Sequence, residues 1–163
     1  MSEKESEFDE NKGHLHFAKK FNNIIWDFLE KEKKKGISDE EKELMISAAH
    51  ASKLHWKFVG TLINEIRSLW MLSRVYSVVK KPDFALFYSK KCLQLCEENN
   101  ILGFDLAYAY EACSRAAACS GNKIEFEKYF TLAKDSLSKI KDDEDRNIFG
   151  SDLNGEPWFG FKF

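Results

Sequence analysis

Two prolines and eight glycines are few for 163 residues, and no apolar run reaches the ~18 residues a membrane span needs. Scarce helix breakers, set against fourteen phenylalanines and four tryptophans, favour a densely packed, mostly helical body with few turns. Basic charge is not in surplus: 25 Lys and Arg face 27 Asp and Glu, for a net charge of −2. That balance argues against nucleic acid as a partner. The opening stretch, residues 1–11, is polar and acidic and lacks the basic start and apolar core of a secretory signal. The expected location is therefore cytoplasmic, with no membrane partner. Four cysteines, Cys92, Cys96, Cys113 and Cys119, do not make a disulfide framework and read as small buried hydrophobes. Motifs of catalysis are missing too: no GxSxG, no GxxxxGK[ST], no GxGxxG, no HExxH and no EF-hand loop. No catalytic residue, cofactor or metal site is expected, and the chain is read as non-enzymatic. The histidines agree with this. His14 and His16 diverge on a helix, and His50 and His55, five apart, do not match the three or four spacing of helix ligand pairs.

What the chain does have is an internal echo. Stepping by 41 residues aligns Asn23, Asn64 and Asp105, and also Ala51, Cys92 and Ala133. A fixed period of this length is the mark of stacked helical units. Helical periodicity predicts a first helix over about 14–34, stopped by Gly36. Ser38 with Glu41 forms a capping box that starts a second, running to about Val59. Its apolar stripe is read as Leu44, Ala48, Ala51, His55 and Phe58. Further helices are expected over 61–80, 82–99, 104–119 and 123–140, with a short seventh between Asp143 and Leu153. The connections are short, so the helices pair into three antiparallel hairpins, 14–59, 61–99 and 104–140. The domain reading is a disordered segment over 1–12, one helical-repeat domain over 13–153 and an aromatic tail over 154–163.

In the second helices the step takes Leu44, Ala48 and Ala51 to Ala85, Ser89 and Cys92, then to Phe126, Phe130 and Ala133. The last position is always small, which lets a neighbouring backbone come close. In the first helices Leu69, Leu72, Ser73 and Tyr76 fall where a large apolar residue, a Leu-small pair and an aromatic recur. This pattern resembles the tetratricopeptide-repeat family over about residues 14–140, with a period of 41 in place of 34. Serines at 73 and 114 replace that family's glycine. The strings HWxxVGT, SRVY and FDxAxAYEA are similar to those of a group of bacterial helical-repeat proteins with no known activity. The resemblance implies an all-α, right-handed stack of three helical hairpins closed by a C-terminal capping segment.

It also implies that the first helices line a concave groove that grips extended peptides. Asn64, Arg67, Met71 and Arg74 share one face of the third helix, and Asp105, Tyr108, Ala112 and Arg115 hold the same steps on the fifth. The first helix offers Asn23, Trp26, Glu30 and Lys33. The candidate ligand-binding set is Asn64, Arg67, Trp70, Arg74, Asp105, Tyr108, Glu111 and Arg115. Asn pairs with peptide backbone, Arg grips carboxylates in bidentate fashion, and Trp70 and Tyr108 supply aromatic anchors. The expected function is a binding module holding a peptide or protein segment, through carboxylates on it. The alternative is a small-ligand sensor or enzyme with a closed polar pocket between the third and fifth helices. A structural reading of the same residues is an internal network in which Glu111 pairs with Arg115, i to i+4, and Asp105 caps the fifth helix. The tail, with Trp158, Phe159, Phe161 and Phe163, either folds over the last hairpin or docks into a second copy to make a homodimer.

Overall fold

The computed structural model describes residues 8–163, and among them it is all-α, with seven helices and no strand. These are α1 (Glu10–Lys35), α2 (Asp39–Val59), α3 (Leu62–Val78), α4 (Pro82–Glu98), α5 (Phe104–Ser120), α6 (Lys123–Leu137) and α7 (Asp143–Asn154). Local chemistry accounts for their ends. Asp9, Ser38, Asn122 and Asp142 each accept a backbone N–H of the first turn, which satisfies one orphan donor per helix. Ser38 and Glu41 form the expected capping box, and Pro82 opens α4. Of the disordered segment expected over 1–12, residues 1–7 lie outside the described residues. From Glu10 on, the chain is already helical, because Asp9 caps it.

Neighbours in sequence pack as antiparallel pairs. Ser52 on α2 donates to the Ala18 carbonyl of α1 at 2.9 Å, while Lys31 meets Glu41 at the other end of the same hairpin. On α3 and α4, Ser73 Oγ donates to the Ala85 carbonyl at 3.0 Å. On α5 and α6, Ser114 Oγ donates to the Phe126 carbonyl at 3.1 Å. Both partners of the second bond lie 41 residues beyond those of the first. The serines thus tie the helices of each hairpin together, which a glycine there would not do. The odd-numbered helices also touch one another: α3 packs on α5, α5 packs on α7, and Trp26 of α1 lies 6.0 Å from Trp70 of α3.

The small residues of the second helices behave as expected on α4 and α6. Ala85, Ser89, Cys92 and Ala133 have no exposed surface, and Phe126 and Phe130 are buried. On α2 the buried arc is Met45, Ala48, Ala49 and Ser52, while Leu44 and Phe58 are about 60% exposed. The apolar stripe read from the sequence is therefore turned outward by roughly one position. α2 meets α1 through alanines and a serine, which bring the two backbones closer than leucine allows. The four cysteines are free thiols, three of them buried.

α5 is the most enclosed helix, buried almost continuously from Ala107 to Ala118. α3, α4, α6 and α7 all pack on it. The tail adds a further cover. Trp158 has no exposed surface and sits edge-on to Phe126 and Phe130, with centroids 5.8 and 5.2 Å away. Phe161 and Phe163 extend this layer over α6.

Candidate functional site

α1 and α7 stand as two walls, and α3 and α5 form the floor between them. Near the N-terminal ends of α3 and α5 the space widens into a hollow of about 280 Å³, lined by Trp26, Trp70, Met71, Tyr108 and Ile148. Toward the far ends of these helices a second hollow of about 710 Å³ lies among Lys33, Arg74, Lys80, Asp152 and Glu156. A narrow waist of about 10 Å³ joins them, bounded by Trp26, Leu29, Trp70, Arg74, Glu111 and Asp152. The two hollows and the waist share residues, so they form one groove, aromatic at one end and basic at the other.

Beneath the waist lies a buried ionic cluster. Glu111 is almost wholly enclosed. Its Oε2 accepts the Trp70 indole N–H at 3.0 Å, and its Oε1 accepts both Arg115 Nε and, at 3.4 Å, Arg74 Nη1. Burial alone raises the Glu111 pKa. Arg115, Arg74 and the two donated bonds outweigh that, so it ends below its ordinary value and stays ionised. Arg115 spends its remaining donors on backbone: Nη1 on the carbonyls of Gly155 and Pro157 at 3.1 and 2.9 Å, Nη2 on that of Asp152 at 3.0 Å. Its guanidinium also lies 3.9 Å from the centre of the Trp158 ring.

Arg74 is different. Its contacts are long, 3.4 Å to Glu111 and 3.5 Å to the Glu156 carbonyl, and only about a tenth of its side chain is exposed. Burial, and then the charge of Arg115, lower its pKa to about 10, with Glu111 and Asp152 acting in the opposite sense. It remains a cation at neutral pH, with donors left over and an open hollow in front of them.

The sequence-derived set divides accordingly. Trp70, Arg74, Tyr108 and Glu111 converge on the groove. Tyr108 donates to Asp152 Oδ2 at 2.6 Å, and burial with this bond raises its pKa, so it stays a donor. Arg67 and Asp105 are paired with each other, Nε to Oδ1 at 2.7 Å and Nη2 to Oδ2 at 3.3 Å. They form one edge of the aromatic hollow, and Asp105 does not cap α5. Asn64 belongs to the start of α3, where its Oδ1 accepts from Thr61 N at 2.9 Å. Arg115 lies within the protein with its donors occupied, so it is not a groove residue. The expectation of a free polar face on α5 is corrected here, because α7 and the tail cover that face. The space between α3 and α5 is filled by the Arg67–Asp105 pair and by Trp70 bonded to Glu111, leaving no closed pocket between these two helices.

Sequence reasoning missed Asp152 and Ile148. The signal existed: one more step of 41 takes Glu111 to Asp152, Ala107 to Ile148 and Tyr108 to the buried Phe149. α7 thus stands in the row of first helices. Among the other reactive groups, burial pushes the Cys113 thiol up to about 12, which leaves it un-ionised and a poor nucleophile. No protein-family model, no curated protein and no solved structure matches the chain. Among the described residues no helix is long and apolar enough to cross a membrane.

Proposed function

We propose that the chain is a non-catalytic, cytoplasmic binding module that holds a peptide or protein segment in the groove between α1 and α7. The architecture behind this reading is a short right-handed stack of helical hairpins of tetratricopeptide-like form. Two recurrences support it: the Ser73–Ala85 and Ser114–Phe126 bonds in step at 41 residues, and the direct packing of α3 on α5. The segment lies along the floor, with apolar side chains against Trp26 and Trp70 and a carboxylate at the basic end.

The observation that carries the proposal is Arg74, a nearly buried cation with two long contacts that faces a hollow flanked by Lys33 and Lys80. A carboxylate there completes the guanidinium's bonding in the paired geometry arginine favours. Glu111 beneath it holds the cation in place and balances the charge of Arg115.

The test is selection from a displayed library of random peptides, run against the native protein and against Arg74→Ala. The native protein is expected to enrich acidic or free-carboxylate peptides with an apolar neighbour, and the variant to lose that enrichment at least tenfold. Equal enrichment by a folded Arg74→Ala protein sinks the proposal.

A further inference from the structure

Away from the groove, at the open end of the α1–α2 hairpin, two histidines meet face to face. His14 Nδ1 and His55 Nδ1 are 2.8 Å apart, although the residues are 41 positions apart in the chain. The helix spacings that argued against histidine ligands consider one helix at a time and overlook this cross-hairpin pair. Two neutral imidazoles can share one proton at this distance only if they adopt opposite tautomers. The same geometry suits a metal ion. With nitrogens about 2.0 Å from a metal, a right angle at the ion sets them about 2.8 Å apart, whereas a tetrahedral angle needs about 3.3 Å.

The surroundings hold the rings in place. His14 stacks on Phe58 with centroids 4.4 Å apart and planes 18° apart. His55 lies between Phe17 and Phe21, at 5.5 and 5.9 Å. The outer nitrogen of His14 faces the Glu10 carboxylate at 3.7 Å, the kind of partner that fixes the tautomer of a ligating imidazole and leaves the inner nitrogen free to bind. Burial, and then the proximity of His14, lower the His55 pKa, which keeps that ring neutral at physiological pH.

We propose that His14 and His55 form a cis pair of nitrogen ligands for a tetragonal divalent cation of the Cu²⁺ type, clipping α1 to α2. Among the described residues no group of three His, Cys, Asp or Glu side chains converges as a metal site, so water completes the coordination sphere. A two-nitrogen open site of this kind has micromolar affinity and exchanges its remaining ligands freely. By joining α1 to α2 it also braces the helix that forms one wall of the groove. The proposal is independent of what the groove binds.

The experiment is titration of the full-length protein with Cu²⁺ alone, followed by calorimetry and by electron paramagnetic resonance at neutral pH. One ion per chain is expected, with a signal from two equivalent imidazole nitrogens and a raised melting temperature. His14→Ala and His55→Ala should each weaken binding at least tenfold and abolish the two-nitrogen signal, while circular dichroism shows the helices intact. His16→Ala and His50→Ala should bind as the native protein does. The assignment is overturned by the absence of saturable micromolar binding, or by a two-nitrogen signal that survives in both alanine variants, as an ion held elsewhere would give.

Discussion

Glu111 shows how one side chain can organise a helical interior. It is a carboxylate with almost no exposed surface, and it accepts from a tryptophan and two arginines. Replacing it by Gln keeps the shape but leaves Arg115 and Arg74 without a counter-charge. Glu111→Gln is therefore expected to cost roughly 3–5 kcal/mol of stability, the range for removing one partner of a buried ion pair. Urea unfolding at neutral pH measures it. The pH dependence has a definite sign. Burial raises the Glu111 pKa, but the two arginines and Trp70 more than offset this, so the folded value lies below the ordinary 4.5. The stabilisation is complete above that ordinary value and is lost as pH falls through the lower folded one. The native protein should lose stability steeply over that acid window, and Glu111→Gln should show a shallower slope there. Coincident slopes would mean that other carboxylates carry the acid sensitivity. The pairing of Glu111 with Arg115 was legible in the sequence because i and i+4 share a helix face. The bonds from Arg115 to three carbonyls were not, because a backbone acceptor leaves no trace in residue type.

At the level of the helix, the ends carry as much information as the faces. α3 and α5 stop by the same device one repeat apart. Lys81 N–H donates to the Tyr76 carbonyl at 2.9 Å, and Asn122 N–H donates to the Ala117 carbonyl at 3.0 Å. Each stop needs a residue with positive φ just before the donor. In α5 this is Gly121, at 76°, but in α3 it is Lys80, at 58°. An L side chain is strained there, and glycine is not. Lys80→Gly is expected to stabilise the protein by about 1 kcal/mol, and a higher urea midpoint at unchanged slope would register it. Helix limits were readable from the sequence to within a few residues because caps and stops are local chemistry. Ser38, Pro82, Asn122 and Gly36 each act over a single turn. The buried face of α2 was not readable. Counting large apolar residues selects Leu44 and Phe58, whereas the hairpin closes through Ala48, Ala49 and Ser52. Close approach of two helices is a property of the pair, and neither helix states it alone.

On the scale of the whole molecule, the last segment decides what α5 can show to the outside. From the sequence, α5 and α3 were equivalent first helices with equivalent polar faces. In the folded chain α7 and the tail lie over α5, so only α3 and the rim of α5 reach the groove. The aromatic tail was legible as an adhesive element, but its seat depends on contacts across some forty residues, which no local pattern encodes. Truncation after Asn154 tests that seat. It strips Arg115 of the Gly155 and Pro157 carbonyls, removes the ring under its guanidinium and uncovers Phe126 and Phe130. Loss of one buried tryptophan alone costs about 3–5 kcal/mol, so the truncated protein and Trp158→Ala should both melt on the order of 10 °C below the native chain. Light scattering on the same samples separates the two roles a tail can play. A cap that folds on its own chain leaves the mass of the native protein unchanged after truncation. A tail exchanged between copies gives a native dimer that falls to monomer. The contacts of Trp158 with Phe126, Phe130 and Arg115 of its own chain lead to the first outcome. A native dimer dissolved by truncation would reassign those contacts to a second copy and leave α5 covered in trans.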